Sequence, residues 1–117
     1  VRGGELGGGR CRCHKTVQEM TSTHLPSDTA AMSQPRFSES NYEGIGFGRG
    51  VSVTIDPARA QILGSAGEYA WGGAASTAFW CDPKEELIVI FLTQLMPSSA
   101  LPVRRELRVL GYQAIID

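Results

Sequence analysis

Apolar and polar positions keep different rhythms in successive parts of the chain, and each rhythm predicts its own element. Residues 1–10 keep none, because five glycines interrupt them, so a flexible leader or irregular loop is expected there. Over residues 14–24, Val17 and Met20 stand three apart and Thr16 and Glu19 have capping-box spacing, which predicts a short helix ended by Pro26. Residues 27–43 are rich in Ser, Pro and Asn and read as a loop. From Gly44 to Ile55 the period becomes two, with glycine at every second position up to Gly50 and Ile45, Phe47, Val51, Val53 and Ile55 in the other phase. This predicts one strand, closed by Asp56-Pro57.

Two more strands are predicted over residues 68–74 and 76–81, followed by Asp82-Pro83-Lys84-Glu85, which suits a type I turn. The unbroken apolar run over residues 87–92 predicts a strand covered on both faces, with helices on both sides of the sheet. A final helix is predicted beyond it, capped by Ser98 or Ser99 with Pro102 in its first turn. Val103, Leu107, Leu110 and Ala114 form its apolar stripe. Arg104, Arg105 and Arg108 lie off that stripe and read as a solvated face, while Gly111 implies close packing or early fraying.

Composition narrows the class. A chain of 117 residues makes one domain at most, and 42% apolar with 20% charged residues is the balance of a globular protein. Eleven basic and 12 acidic residues give a net charge of -1, so no basic field exists to collect phosphates and nucleic acid is not expected as a partner. No apolar run approaches the roughly 20 residues of a membrane-spanning helix, so no membrane span is expected. The chain begins at Val1 with no signal-like segment, which implies a truncated or processed N-terminus. Cys11, Cys13 and Cys81 are an odd set without framework spacing; they read as reduced thiols and lean toward a reducing, cytoplasmic compartment.

The candidate chemistry centres on Trp71-Gly72-Gly73. Paired glycines inside a strand-like stretch leave the backbone open to close approach by a ligand. Other motifs fail on spacing. G-x-G-x-x-G is broken by Arg49 in one register and Val51 in the other, and Gly64-Ser65-Ala66-Gly67 lacks the glycine that a nucleophile elbow needs at Leu63. Cys11, Cys13, His14 and His24 are metal-ligand types without zinc-site spacing, so no metal is expected. Ser-x-x-Lys, Tyr-x-Asn and Ser-x-Asn are all absent, so the chain holds no obvious activated nucleophile.

Tyr42-Glu43-Gly44-Ile45-Gly46-Phe47-Gly48, residues 67–77, the hairpin from Phe79 to Leu87, the run Phe91-Leu92-Thr93-Gln94-Leu95-Met96-Pro97 and the closing helix together resemble the C-terminal part of a β-lactamase-related serine hydrolase. The similarity is to the esterase-like branch of the serine β-lactamase and penicillin-binding-protein family, over residues 14–117 behind a leader at 1–13. It implies an α+β fold, an antiparallel sheet with the C-terminal helix packed on one face and further helices on the other. It also implies hydrolysis of acyl esters or amides through an acyl-serine, with no cofactor. Trp71, Gly72 and Gly73 would be the substrate-binding counterpart of the family's Lys-Thr-Gly triplet, and the backbone N–H of Ala74 a catalytic oxyanion-hole donor. Trp71 in place of lysine removes a cation for a substrate carboxylate, favouring neutral esters. Where the family opens its helix with Ser-Pro, this chain has Cys13-His14. The nucleophile lies outside residues 1–117, so the chain alone is expected to be inactive. The alternative is a non-catalytic remnant or small peptide-binding module using the exposed sheet edge.

Overall fold

The computed structural model describes residues 3–32 and 42–116. Its centre is a five-stranded antiparallel meander in which every strand pairs with its neighbour in sequence, in the order β3-β4-β5-β6-β7. The strands are β3 (Ile45–Phe47), β4 (Ser52–Thr54), β5 (Tyr69–Gly72), β6 (Ala78–Asp82) and β7 (Leu87–Phe91). A separate hairpin, β1 (Glu5–Leu6) with β2 (Gly9–Arg10), lies in the segment expected as a leader. The helices are α1 (His14–Met20), α2 (Thr29–Met32), α3 (Pro57–Ala60) and α4 (Val103–Gln113).

Several local expectations need correction. The period-two stretch from Gly44 to Ile55 is two strands, because the chain reverses at Gly48–Val51. Gly50 takes φ +91°, a conformation that side chains rarely adopt, and the Gly48 N–H reaches the Val51 carbonyl at 2.9 Å. Alternating glycines therefore hid a turn inside an apparent strand. Helix α1 is capped by Cys13, whose Sγ accepts the Thr16 N–H at 3.4 Å, in place of a Thr16–Glu19 box. Pro102 caps α4 without any side-chain hydrogen bond, so Ser98 and Ser99 lie upstream of the cap. Asp56-Pro57 both ends β4 and starts α3, with Asp56 Oδ1 accepting the N–H groups of Ala58 and Arg59. The loop expected over residues 27–43 contains α2, and its residues 33–41 lie outside the described residues.

Asp82 shapes the β6–β7 turn as expected: its Oδ1 accepts from the Lys84 and Glu85 N–H groups. Register then sorts the sheet into two faces. Ala70, Trp80 and Val89 form one cross-strand row, and α4 packs on it, with Gly111 lying against Trp80 and Val89. Trp71, Phe79 and Ile90 form a row on the opposite face. There β7 departs from expectation, because only one of its faces is covered among the described residues. Leu87, Val89 and Phe91 are half-buried, whereas Ile88 and Ile90 are exposed.

Helix α4 follows its expected faces only in part: Val103 and Leu107 of the apolar stripe are half-buried and Arg105 is exposed, as expected. Arg104 and Arg108, read from sequence as solvated, are part-buried against the sheet, while Leu110 of the apolar stripe is 63% exposed. What the sheet offers α4 explains the burial of the two arginines. Glu68 just before β5 and Asp82 at the end of β6 are both fully buried, and buried carboxylates need cations and hydroxyls more than methyl groups.

Candidate functional site

The segment that follows β5 is a compact turn. The Gly73 N–H donates to the Thr77 carbonyl at 3.0 Å, and the Ser76 N–H donates back to the Gly73 carbonyl at 3.1 Å. Ser76 sits at φ +63°, and its buried hydroxyl donates to the Leu95 carbonyl at 2.7 Å, tying the turn to the segment after β7. From α4, Arg104 Nη2 reaches the Gly73 carbonyl at 2.6 Å and the Thr77 carbonyl at 3.1 Å. The glycine at 72 has a specific reason. A Cβ there would fall 2.8 Å from Arg104 Nη2 and 2.9 Å from the Thr77 carbonyl oxygen, so the guanidinium occupies the space a side chain would take.

All four residues singled out in the sequence lie at this end of β5. Trp71 is 51% exposed, and its ring meets Phe47 edge-on at 5.3 Å and 75°. Gly72 pairs with Ala78 and ends the strand, while Gly73 begins the turn. Ala74 is exposed on that turn, and its N–H donates to no acceptor among the described residues. On its other side β5 outruns its neighbour: Ser52 pairs with Ala70, and neither Trp71 nor Gly72 has a β4 partner.

Sequence reasoning missed the arginines and the network beneath them. Arg108 forms a two-pronged pair with Glu68, Nη1 to Oε2 and Nη2 to Oε1, both 2.6 Å. Its guanidinium also lies 4.9 Å from the Trp80 ring centre. Tyr112 Oη lies 2.8 Å from Glu68 Oε2 and 2.8 Å from Asp82 Oδ2, with a single proton to donate between them. Burial raises the Tyr112 hydroxyl above its usual range, and the Asp82 and Glu68 carboxylates raise it further. Burial also pushes Asp82 upward, but hydrogen bonds from the Tyr112 and Ser65 side chains and from the Glu85 and Lys84 N–H groups together outweigh it, so its carboxyl sits below the ordinary range. The signal available in the sequence was the spacing Arg104, Arg108, Tyr112, which is one helix face at steps of four.

This buried layer fixes α4, α4 carries Arg104, and Arg104 holds the turn that presents Ala74. A cavity of about 220 Å³ lies beside it, bordered by Gly72, Trp80, Ser52 and Arg104. No helix among the described residues is long and apolar enough to cross a membrane.

No known family profile matches the chain. Protein Rv1367c and uncharacterized protein MT1414, both of Mycobacterium tuberculosis, are each 40% identical to it over 61 residues, which is 50% of this chain and 15% of theirs. Among solved structures, EstCE1, a hydrolase with promiscuous acyltransferase activity, matches with a TM-score of 0.67 at 25% identity, over 92% of this chain and 25% of its own. Unliganded simvastatin synthase (LovD) from Aspergillus terreus matches with a TM-score of 0.61 at 24% identity, over 89% of this chain and 29% of its own. Both have the β-lactamase fold, and so does this chain. The chain spans about a quarter of the length of these solved structures and 15% of the length of the curated relatives it matches.

Proposed function

We propose that residues 14–117 form the sheet and oxyanion-donor part of a serine hydrolase that cleaves acyl esters or amides through an acyl-serine intermediate, the nucleophile being supplied from outside this chain. The observation that carries the reading is the N–H of exposed Ala74, unspent among the described residues at the end of β5 on a turn whose Gly73 N–H and carbonyl, Ser76 N–H and hydroxyl, and Thr77 carbonyl are all engaged. An N–H held in place before charge develops on a carbonyl oxygen costs nothing to reorganise when the reaction occurs. In this reading Gly72 and Gly73 leave room for the Arg104 guanidinium and the Thr77 hydroxyl that shape the turn, and the half-exposed Trp71 indole offers the acyl group an uncharged wall. With an indole at this position, neutral esters are better substrates than anionic ones.

The test is a hybrid in which residues 14–117 replace the corresponding quarter of EstCE1, assayed with a chromogenic ester. Ala74→Pro removes the N–H and is expected to lower kcat by roughly 10²–10³-fold with KM little changed. An unchanged kcat would sink the oxyanion reading. Residues 1–117 alone are expected to give no acyl-enzyme burst.

A second reading draws on the unpaired edge of Trp71 and Gly72 beyond Ala70. An extended peptide could add to that edge by backbone pairing. Under it, the chain binds peptide and the hybrid is inert toward esters.

A further inference from the structure

We infer that Arg104 is the positioning residue that aims the Ala74 N–H. The Gly73–Ala74 peptide is trans, since Met96–Pro97 is the cis bond recorded among the described residues, so its C=O and N–H point in opposite directions in one plane. Fixing the carbonyl therefore fixes the amide. That carbonyl accepts from Arg104 Nη2 at 2.6 Å on the α4 side and from the Ser76 N–H at 3.1 Å. The same nitrogen reaches the Thr77 carbonyl at 3.1 Å, so one guanidinium closes both ends of the turn. With its carbonyl drawn toward α4, the peptide turns the Ala74 N–H away from α4.

Three features of the sequence converge on this clamp. Gly72 has no Cβ to displace the guanidinium. Ser76 takes the positive φ that tightens the turn and anchors it to Leu95. Arg108, one helical turn further along α4, is held by Glu68, which sets the helix at the height from which Arg104 reaches the turn. Charge is part of the clamp as well. A guanidinium on the Gly73 carbonyl draws electron density from the peptide and makes the Ala74 N–H a stronger donor. The catalytic meaning of the clamp rests on the proposed oxyanion role of Ala74, but its geometry does not.

The experiment has two arms. In the first, ¹⁵N-labelled residues 1–117 are compared with Arg104→Ala and Arg104→Lys by amide relaxation and hydrogen exchange. Arg104→Ala is expected to keep the β6–β7 amides native while the Ala74 order parameter falls from a rigid value of about 0.85 to below about 0.6. Added guanidinium ion is expected to restore it, and Arg104→Lys to lie between. Should Arg104→Ala fail to fold, Arg104→Lys carries the same readout. An Ala74 amide that stays as ordered as in the parent, in either folded variant, overturns the inference. In the second arm, Arg104→Ala in the EstCE1 hybrid is expected to lower kcat about 10–100-fold at constant KM, again rescued by guanidinium. Lost amide order with unchanged kcat would uphold the clamp and sink the oxyanion reading instead.

Discussion

The two faces of the sheet are built on opposite principles. On the α4 side the interior is charged: Glu68, Asp82, Arg108 and Tyr112 interlock around Trp80, and the fully buried Glu68 side chain is matched oxygen by oxygen. On the other side the surface is apolar, with Trp71, Ile88 and Ile90 each half or more exposed. Two carboxylates are thus fully buried while two isoleucines are exposed, although Val53, Ala78, Trp80 and Cys81 keep an ordinary apolar core. What decides burial here is which partner an element meets. A carboxylate without water is tolerated only where a cation and hydroxyls satisfy it, and α4 supplies these from a face that looks solvated in sequence.

The largest effect is expected from breaking the charged side. Arg108→Met strips the cation from a carboxylate that keeps no contact with water, and should cost about 3–5 kcal/mol in urea unfolding. Arg108→Met combined with Glu68→Leu should recover most of that loss, because no uncompensated charge remains. A double variant as unstable as the single one would show that the pair matters for shape and not for charge.

A smaller effect is expected from acid. Asp82 is held below its ordinary range in the folded chain, so the stability it contributes is present above the unfolded value, near 4, and is lost as pH falls through the depressed folded value. The urea midpoint should therefore drop below about pH 4, and Asp82→Asn should remove that part of the slope. Persistence of the full slope in Asp82→Asn would assign it to other carboxylates.

The smallest effect on folding should come from the apolar side. Ile90→Ser, at a side chain 68% exposed, is expected to shift stability by no more than about 0.5 kcal/mol. It should lower self-association measured by light scattering, since Ile88 and Ile90 stand on an edge strand. A large stability loss would mean that this face is covered after all, and the contrast between the two sides would fail.

Much of the meander was legible because strand signals are local. The strand segments around residues 68–81, the Asp82-Pro83 turn and the apolar β7 each declare themselves within a few residues. The site segment was legible for the same reason, since Trp71-Gly72-Gly73 is contiguous. What escaped depends on distance in sequence. Arg108 and Glu68 lie 40 residues apart, Arg104 and Gly73 are 31 apart, and nothing near either partner marks the pairing. Glycine at 72 was read as room for a ligand, whereas the room is taken by a guanidinium from the last helix. The reversal at Gly50 was missed because glycine every second residue mimics a strand while permitting a turn.

The interlock between α4 and the sheet also imposes an order in time. Glu68 and Asp82 are synthesised before Arg108 and Tyr112, and at roughly 5–20 residues per second the interval after Asp82 is about one to five seconds. Through that interval the nascent hairpins carry carboxylates that cannot shed their hydration. The carboxylates therefore stay hydrated until α4 arrives, and the hold of Arg104 on the turn bearing Ala74 forms only when that helix docks.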